Sequence, residues 1–246
     1  MQVLKNIFGR IWAAWGLLTF IVTFLLIFLP SMLANAFKDY KKGQTYFLAV
    51  SRIWMHTWLF LIGCPVKVYG RKNFSKNESY IVVFNHNAFL DVNLSAPFVG
   101  GPNKTIAKDS FAKVPIFGLF YKRGSVLLNR NDDRSRQRSF EEMKKVLSLG
   151  INMCIYPEGT RNRTNQPLKP FYDGAFKLSF ETNKKILPCV IFGTKKAMPI
   201  NKKFYLLPTK LEMHFLPPLS PKGNVKSFKE DVYNIMVEEY LRGTHD

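Results

Sequence analysis

Acidic residues are scarce in this chain, with 17 Asp and Glu against 36 Lys and Arg, a formal net charge of +19. Such an excess calls for an anionic partner: nucleic acid, a phospholipid surface or a phosphorylated substrate. Cysteine is scarce as well. Cys64, Cys154 and Cys189 are odd in number and far apart, and neither a CxxC pair nor a His/Cys cluster of zinc spacing is present. That pattern excludes a disulfide framework and points to buried, inert thiols in a reducing compartment. No G-x-S-x-G elbow occurs, so any hydroxyl activated by this chain belongs to its substrate. Internal repeats, low-complexity tracts and long linkers are missing too, while 47% hydrophobic and 15% aromatic content exclude a disordered chain. Nucleic-acid binding is not expected, because the Phe and Tyr residues sit in apolar runs rather than among the basic clusters, and no recognition motif appears.

Charge is absent altogether from Ile11 to Phe37, and Ile11 to Leu29 is almost wholly apolar. A run of that length approaches the thickness of a bilayer core and exceeds a signal-peptide h-region, and no small-residue cleavage site follows it. Trp12 and Trp15 are expected at one interface, and Pro30 interrupts the far end. Lys5 and Arg10 before the segment match Lys38, Lys41 and Lys42 after it, so flanking charge assigns no crossing direction. A second stretch, Tyr46 to Ile62, reads as an amphipathic helix with Trp54 and Trp58 on its apolar face. The two stretches predict a hairpin dipping into one leaflet, with the aromatic face in acyl chains, Arg52 at the headgroups and His56 on the surface.

Beyond Gly63 the pattern changes to short strands separated by helices, which divides the chain into an anchoring hairpin (1–63) and a second domain (64–246). Strands are expected at Val66–Gly70, Tyr80–Phe84, Thr105–Ala107, Ser125–Asn129, Asn152–Tyr156, Ile186–Phe192 and Lys210–Phe215. Phe140, Met143, Val146 and Leu147 form a helical stripe ended by Gly150, and Ser227 with Glu230 reads as a capping box. The alternation predicts an α/β fold: a mixed, mostly parallel sheet flanked by helices and preceded by a membrane-anchoring two-helix segment.

Candidate chemistry gathers after these strands. His86 follows the apolar run Tyr80–Phe84, and Asp91 lies five residues on. On one ideal helix the two would point about 140° apart, so they meet only if His86 stands on a loop and Asp91 opens the next helix. There Asp91 would fix the imidazole tautomer and leave the other ring nitrogen to take a proton from a substrate hydroxyl. The run Tyr156-Pro157-Glu158-Gly159-Thr160-Arg161 puts a planar phosphate fork, a glycine that permits close approach and a carboxylate in one tight loop. Gly124 to Arg130 delivers another arginine at a strand's end, with Lys108 upstream. Lys169–Gly174 and Leu187–Val190 read as pocket walls.

In this order the pieces resemble the membrane glycerolipid acyltransferase family, which includes 1-acyl-glycerol-3-phosphate acyltransferases. Asn85-His86 through Asp91 matches its NHxxxxD block, Gly124–Arg130 its glycine-to-arginine strand, Pro157–Arg161 its PEGTR block and Pro188 its strand proline. Asn129 departs from the acidic residue common before the second block's arginine. The resemblance implies that a fatty acyl group moves from acyl-CoA or acyl carrier protein to the hydroxyl of a lysophospholipid acceptor. His86 would act as base and Asp91 as its partner. Arg130 and Arg161 would hold phosphate, and Glu158, with Gly159 and Thr160 of the same loop, would place the acceptor. Lys108 or a backbone N–H would face the oxyanion, and neither metal nor organic cofactor is implied. Acylation of glycerol-3-phosphate or another lysolipid is the alternative, and a non-catalytic basic membrane-binding protein is the other class. Membrane attachment through the N-terminus is expected, with the catalytic domain against an anionic cytoplasmic face.

Overall fold

The computed structural model describes residues 2–75 and 77–243. The chain begins with α1 (Gln2–Met32), a 3-10 turn (Leu33–Ala36) and α2 (Tyr40–Leu61). The α/β part follows: β1 (Val66–Tyr69), β2 (Ile81–Phe84), α3 (Asp91–Phe98), β3 (Asn103–Lys108), α4 (Phe117–Gly124), β4 (Ser125–Leu128) and α5 (Asp133–Ser148). It continues through β5 (Asn152–Ile155), α6 (Gly174–Thr182), β6 (Ile186–Phe192), α7 (Thr194–Ala197), β7 (Leu211–Phe215) and α8 (Val225–Gly243).

The strands form one seven-stranded sheet in the order β1-β7-β6-β2-β5-β3-β4. Every neighbouring pair is parallel except β6 with β7. Central strands covered on both faces read as continuous apolar runs, which is why the sequence locates them within a residue or two and Ile186–Phe192 at both ends. β3 extends further than expected, to Asn103, whose backbone enters the ladder against Asn152 although its side chain is polar. Alternate residues feed two cores. Val82, Phe84, Cys154, Leu187 and Cys189 face α2 and α3, while Ile81, Val83, Met153 and Ile186 face α5, α6 and α8.

The caps explain two boundary differences. α2 starts at Tyr40 rather than Tyr46 because the Asp39 carboxylate accepts the Lys42 N–H at 3.0 Å, giving the first turn an acceptor. α8 is capped at Asn224 rather than Ser227: Asn224 Oδ1 accepts the Ser227 N–H at 2.9 Å, and Ser227 Oγ accepts the Asn224 N–H at 3.3 Å. The capping box is real but begins three residues earlier, so Glu230 lies inside the helix.

The hairpin is tied to the sheet rather than set apart from it. All four tryptophans donate indole N–H groups between α1 and α2 or the residue that caps α2: Trp12 to Ile62 O, Trp15 to Leu61 O, Trp54 to Thr23 Oγ1 and Trp58 to Gly16 O, at 2.9–3.0 Å. Two of those carbonyls are orphans at the end of α2 and gain donors from α1. Trp54, Met55, Trp58 and Leu59 are buried against the sheet, so the aromatic face expected in acyl chains is protein core. Arg52 is not placed at headgroups either, because its Nε donates to Pro97 O at 2.7 Å and Nη2 to Val99 O at 3.2 Å. His56 is exposed, as expected, and its ring lies on Phe98.

Instead the apolar outer surface belongs to α1. Leu4, Ile11, Leu18, Leu25, Leu26 and Leu29 are all more than half exposed along a helix about 46 Å long. By length and composition this helix suffices to cross a membrane. Its inner face mixes the small buried residues Gly9, Ala13, Gly16, Thr19 and Ser31 with the buried Phe24. Gly9 sits where a Cβ would come within 2.2 Å of the Tyr205 ring, and the Gly9 carbonyl accepts the Leu206 N–H at 3.0 Å.

Two neighbouring aromatics on α2 separate the two roles. Trp58→Ala should lower unfolding stability by about 3–5 kcal/mol, since it empties a packed site. Phe60, 82% exposed, should change by no more than about 0.5 kcal/mol when replaced by alanine. Denaturant unfolding in one neutral detergent checks the pair, and equal losses would mean that α2 is not part of the core.

Candidate active site

Four parallel strands, β2, β5, β3 and β4, end at one edge of the sheet; the loops after β2, β5 and β4 carry His86, the Pro157–Arg161 run and Arg130, and Lys108 is the last residue of β3. Ligands bind at the carboxyl ends of strands in open α/β sheets. After β2 the fully buried Asn85 replaces a strand partner: its Nδ2 donates to Ile191 O at 3.0 Å, and its Oδ1 accepts the Ile191 N–H at 2.7 Å. The chain then turns, with His86 on the loop and Asp91 as the first residue of α3.

Asp91 is completely buried. Its Oδ2 accepts three hydrogen bonds, from His86 Nδ1 at 2.9 Å and from the backbone N–H groups of Asn87 at 2.6 Å and Ala88 at 2.7 Å. An ionised carboxylate only accepts, so the bond fixes the proton on Nδ1 and leaves the Nε2 lone pair for a substrate. The position at the start of a helix adds the favourable end of its dipole. Tyr156 completes the support, with its ring centroid 4.5 Å from the imidazole and its hydroxyl donating to Asp91 O at 2.8 Å. Burial holds the phenol's pKa well above its usual value, so it remains a donor.

The loop after β5 grips His86 by its backbone. Glu158 Oε1 accepts the His86 N–H at 2.7 Å, and the Asn162 N–H donates to His86 O at 2.6 Å. The other Glu158 oxygen accepts the Lys169 N–H at 2.9 Å. Glu158 is completely buried, so its placement differs from the substrate contact expected of it: it clasps two loops and holds the histidine. Burial pushes its carboxyl up to about 7, against the two amides and the histidine that favour the anion.

Gly159 has φ +72°, and a Cβ there would meet the Tyr172 ring at 2.6 Å. Its carbonyl accepts Arg130 Nη1, which joins the β4 loop to the β5 loop. This contact aims Arg130 although Asn129 replaces the expected acidic neighbour; Asn129 Oδ1 instead accepts the Asn131 N–H at 3.1 Å. Thr160 is exposed, and its Oγ1 accepts Lys169 Nζ at 2.7 Å. Arg161 is half-buried and has no hydrogen bond or ion pair among the described residues, so its fork is open to an anion. Lys108 is exposed at the end of β3, two strands from β2, and no hydrogen bond joins it to the dyad among the described residues.

Thus His86, Asp91, Glu158, Gly159 and Arg130 belong to one connected network, while Thr160, Arg161 and Lys108 share its edge. Asn85, Tyr156, Asn162 and the Lys169 backbone were not singled out from sequence as parts of this framework. Tyr156 directly precedes the Pro157–Arg161 run, and Asn162 directly follows it. Leu187–Val190 lies within the sheet rather than on a pocket wall, because β6 pairs with both β2 and β7. Pro170 and Phe171 line a cleft, but its other side is α8, at Lys229, Glu230 and Tyr233.

The raised Glu158 pKa gives a stability test with a definite sign. The folded state keeps a proton that the unfolded chain releases near 4.5, so this contribution is complete below about 4.5 and lost by about 7. The stability of the wild type minus that of Glu158→Gln should therefore fall as pH rises through that window. Denaturant midpoints across the window measure it, and a difference that grows with pH would mean that the carboxylate is stabilised as an anion.

Comparison with known proteins follows the same outline. The family described as Acyltransferase matches residues 65–192. A 1-acyl-sn-glycerol-3-phosphate acyltransferase of Chlamydomonas reinhardtii is 28% identical over 227 residues, 90% of this chain and 66% of the relative. One from Borreliella burgdorferi is 30% identical over 137 residues, 55% of this chain and 54% of the relative. The chain spans about half to two thirds of the length of these curated relatives. The crystal structure of the 1-acyl-sn-glycerophosphate acyltransferase PlsC from Thermotoga maritima shares the fold, with TM-score 0.81 at 22% identity, over 100% of this chain and 99% of that one.

Proposed function

The chain belongs to the acyltransferase family, and from that premise we propose that it moves a fatty acyl group from acyl-CoA or acyl carrier protein to the free hydroxyl of 1-acyl-glycerol-3-phosphate, forming phosphatidic acid. The observation that carries this reading is the 2.9 Å bond from His86 Nδ1 to a buried Asp91, which leaves Nε2 as a base on the ligand edge. The names of the relatives support the acceptor.

In this reading Nε2 takes the acceptor's hydroxyl proton as its oxygen attacks the thioester carbonyl. The tetrahedral adduct collapses, the C–S bond breaks, and the proton passes from the imidazolium to the departing thiolate. Asp91 stabilises the imidazolium between the two steps, and Tyr156 and Glu158 hold the ring and the loop in place. Arg161 and the remaining donors of Arg130 bind the acceptor phosphate, whose charge near neutral pH approaches two and is matched by two guanidiniums. Thr160 and Lys108 flank the same edge. No metal or organic cofactor takes part in this sequence.

The exposed apolar face of α1 supports membrane attachment, with the helix lying in one leaflet and the site at headgroup depth. The net charge of +19 supports placing the catalytic face against an anionic, cytoplasmic surface.

His86→Ala should leave the protein folded and lower kcat by about 10²–10⁴, the usual contribution of a positioned base, with Asp91→Asn nearly as severe. Near-wild-type turnover by folded His86→Ala would end the mechanism. Arg161→Lys keeps the charge but loses the fork, so KM for lysophosphatidate should rise more than KM for the acyl donor. Steady-state kinetics with one acyl-CoA and a panel of lysophosphatidate, glycerol-3-phosphate and lysophosphatidylcholine tests both this and the acceptor. Preference for either of the latter two, or a weakened donor alone, overturns the assignment.

A further inference from the structure

At the end of the sheet opposite His86, where α1 turns into α2, a cleft of about 180 Å³ is lined by Asn35, Phe37, Tyr40, Lys104, Lys122 and Arg123. Its position follows from the register: Lys104 is the second residue of β3, and β4 begins at Ser125, paired with Thr105, whereas Lys108 stands at the active-site end. Positive charge is concentrated there and poorly matched. Lys104 is only 5% exposed, and its Nζ has a carbonyl, Ser125 O, at 3.3 Å and a half-exposed carboxylate, Glu142, at 3.7 Å. Arg123 lies over the Tyr40 ring at 4.7 Å, and Nη1 bonds the neutral Gln44 Oε1 at 2.6 Å. Its Nε is buried with no partner among the described residues. Lys122 is exposed and has no ion pair among the described residues.

Among the described residues Arg123 meets only a neutral amide and aromatic rings, and the buried Lys104 has its one carboxylate at 3.7 Å; charge so poorly compensated away from water is costly, and an anion entering the cleft would offset that cost. Two features select a lipid over a free phosphate. Phe37, which lines the cleft, is 43% exposed, and it follows in the chain the exposed Leu25, Leu26 and Leu29 of α1 and Leu33 of the turn, itself 59% exposed. A lipid with its phosphate among Lys104, Lys122 and Arg123 can therefore lay its acyl chains along the helix that faces the bilayer.

We propose that this cleft is a headgroup site for an anionic glycerophospholipid, separate from the catalytic edge and independent of the acyl-transfer reading. An occupied site would fix the hairpin turn against α4 and pin α1 at one depth in the leaflet.

The test uses the full chain in neutral detergent with an environment-sensitive fluorophore on Asn35→Cys, the three native cysteines being buried. Titration with dihexanoyl phosphatidic acid should give a saturable change that dihexanoyl phosphatidylcholine does not. Lys122→Glu, an exposed position, should weaken the midpoint by about tenfold or more, as expected for the loss of one charge-assisted contact. No saturable change, an equal response to phosphatidylcholine, or a midpoint indifferent to Lys122→Glu overturns the site. An equal response to glycerol-3-phosphate overturns the lipid assignment and leaves a free-phosphate site.

Discussion

Everything at the catalytic edge depends on one buried carboxylate. Asp91 has no solvent, so its charge must be met by donors, and three converge on Oδ2: one imidazole N–H and two loop amides. Those amides shape the turn that presents His86, and the imidazole bond sets the tautomer. The same contacts therefore serve Oδ2 of the buried carboxylate and set the imidazole tautomer, while Oδ1 is buried without a hydrogen-bond partner among the described residues. The four residues between His86 and Asp91 let the loop amides of Asn87 and Ala88 fold back onto the first residue of the helix.

The second loop makes this arrangement rigid. Glu158 and Asn162 hold the N–H and C=O of His86 from a segment some seventy residues later, about as far as the 72-residue separation of the Glu158 bond. Arg130 is joined through Gly159 O, so its guanidinium and the His86 imidazole share one backbone framework. A shift in either loop would move both. The fold places these loops side by side because β2 and β5 are neighbours in a parallel sheet, although α3, β3, α4, β4 and α5 lie between them in sequence.

The hairpin buries the aromatic face of α2 in the protein core and leaves an apolar face of α1 uncovered. Tryptophans, which are amphipathic and common at membrane interfaces, are used here to hydrogen-bond one helix to the other. That leaves the aliphatic face of α1 as a large uncovered apolar surface. The cationic cleft at the turn between the helices adds polar chemistry at the end of that surface, where headgroups meet acyl chains.

By itself the sequence determined the sheet's strands, the loop-then-helix placement of His86 and Asp91, and the long apolar character of the first helix. These features are carried locally: by apolar runs, by spacing, and by a charge-free segment. Tertiary structure decided which face of an element meets what. It turned Trp54, Trp58 and Arg52 inward, made Glu158 a clasp rather than a substrate contact, and brought Arg130 to Gly159 without the acidic neighbour. Periodicity can show that a helix has an apolar face, but lipid and protein core are alike to it. A carboxylate is likewise the same letter whether it binds a ligand or two distant amides, and only the packing of the loops distinguishes them.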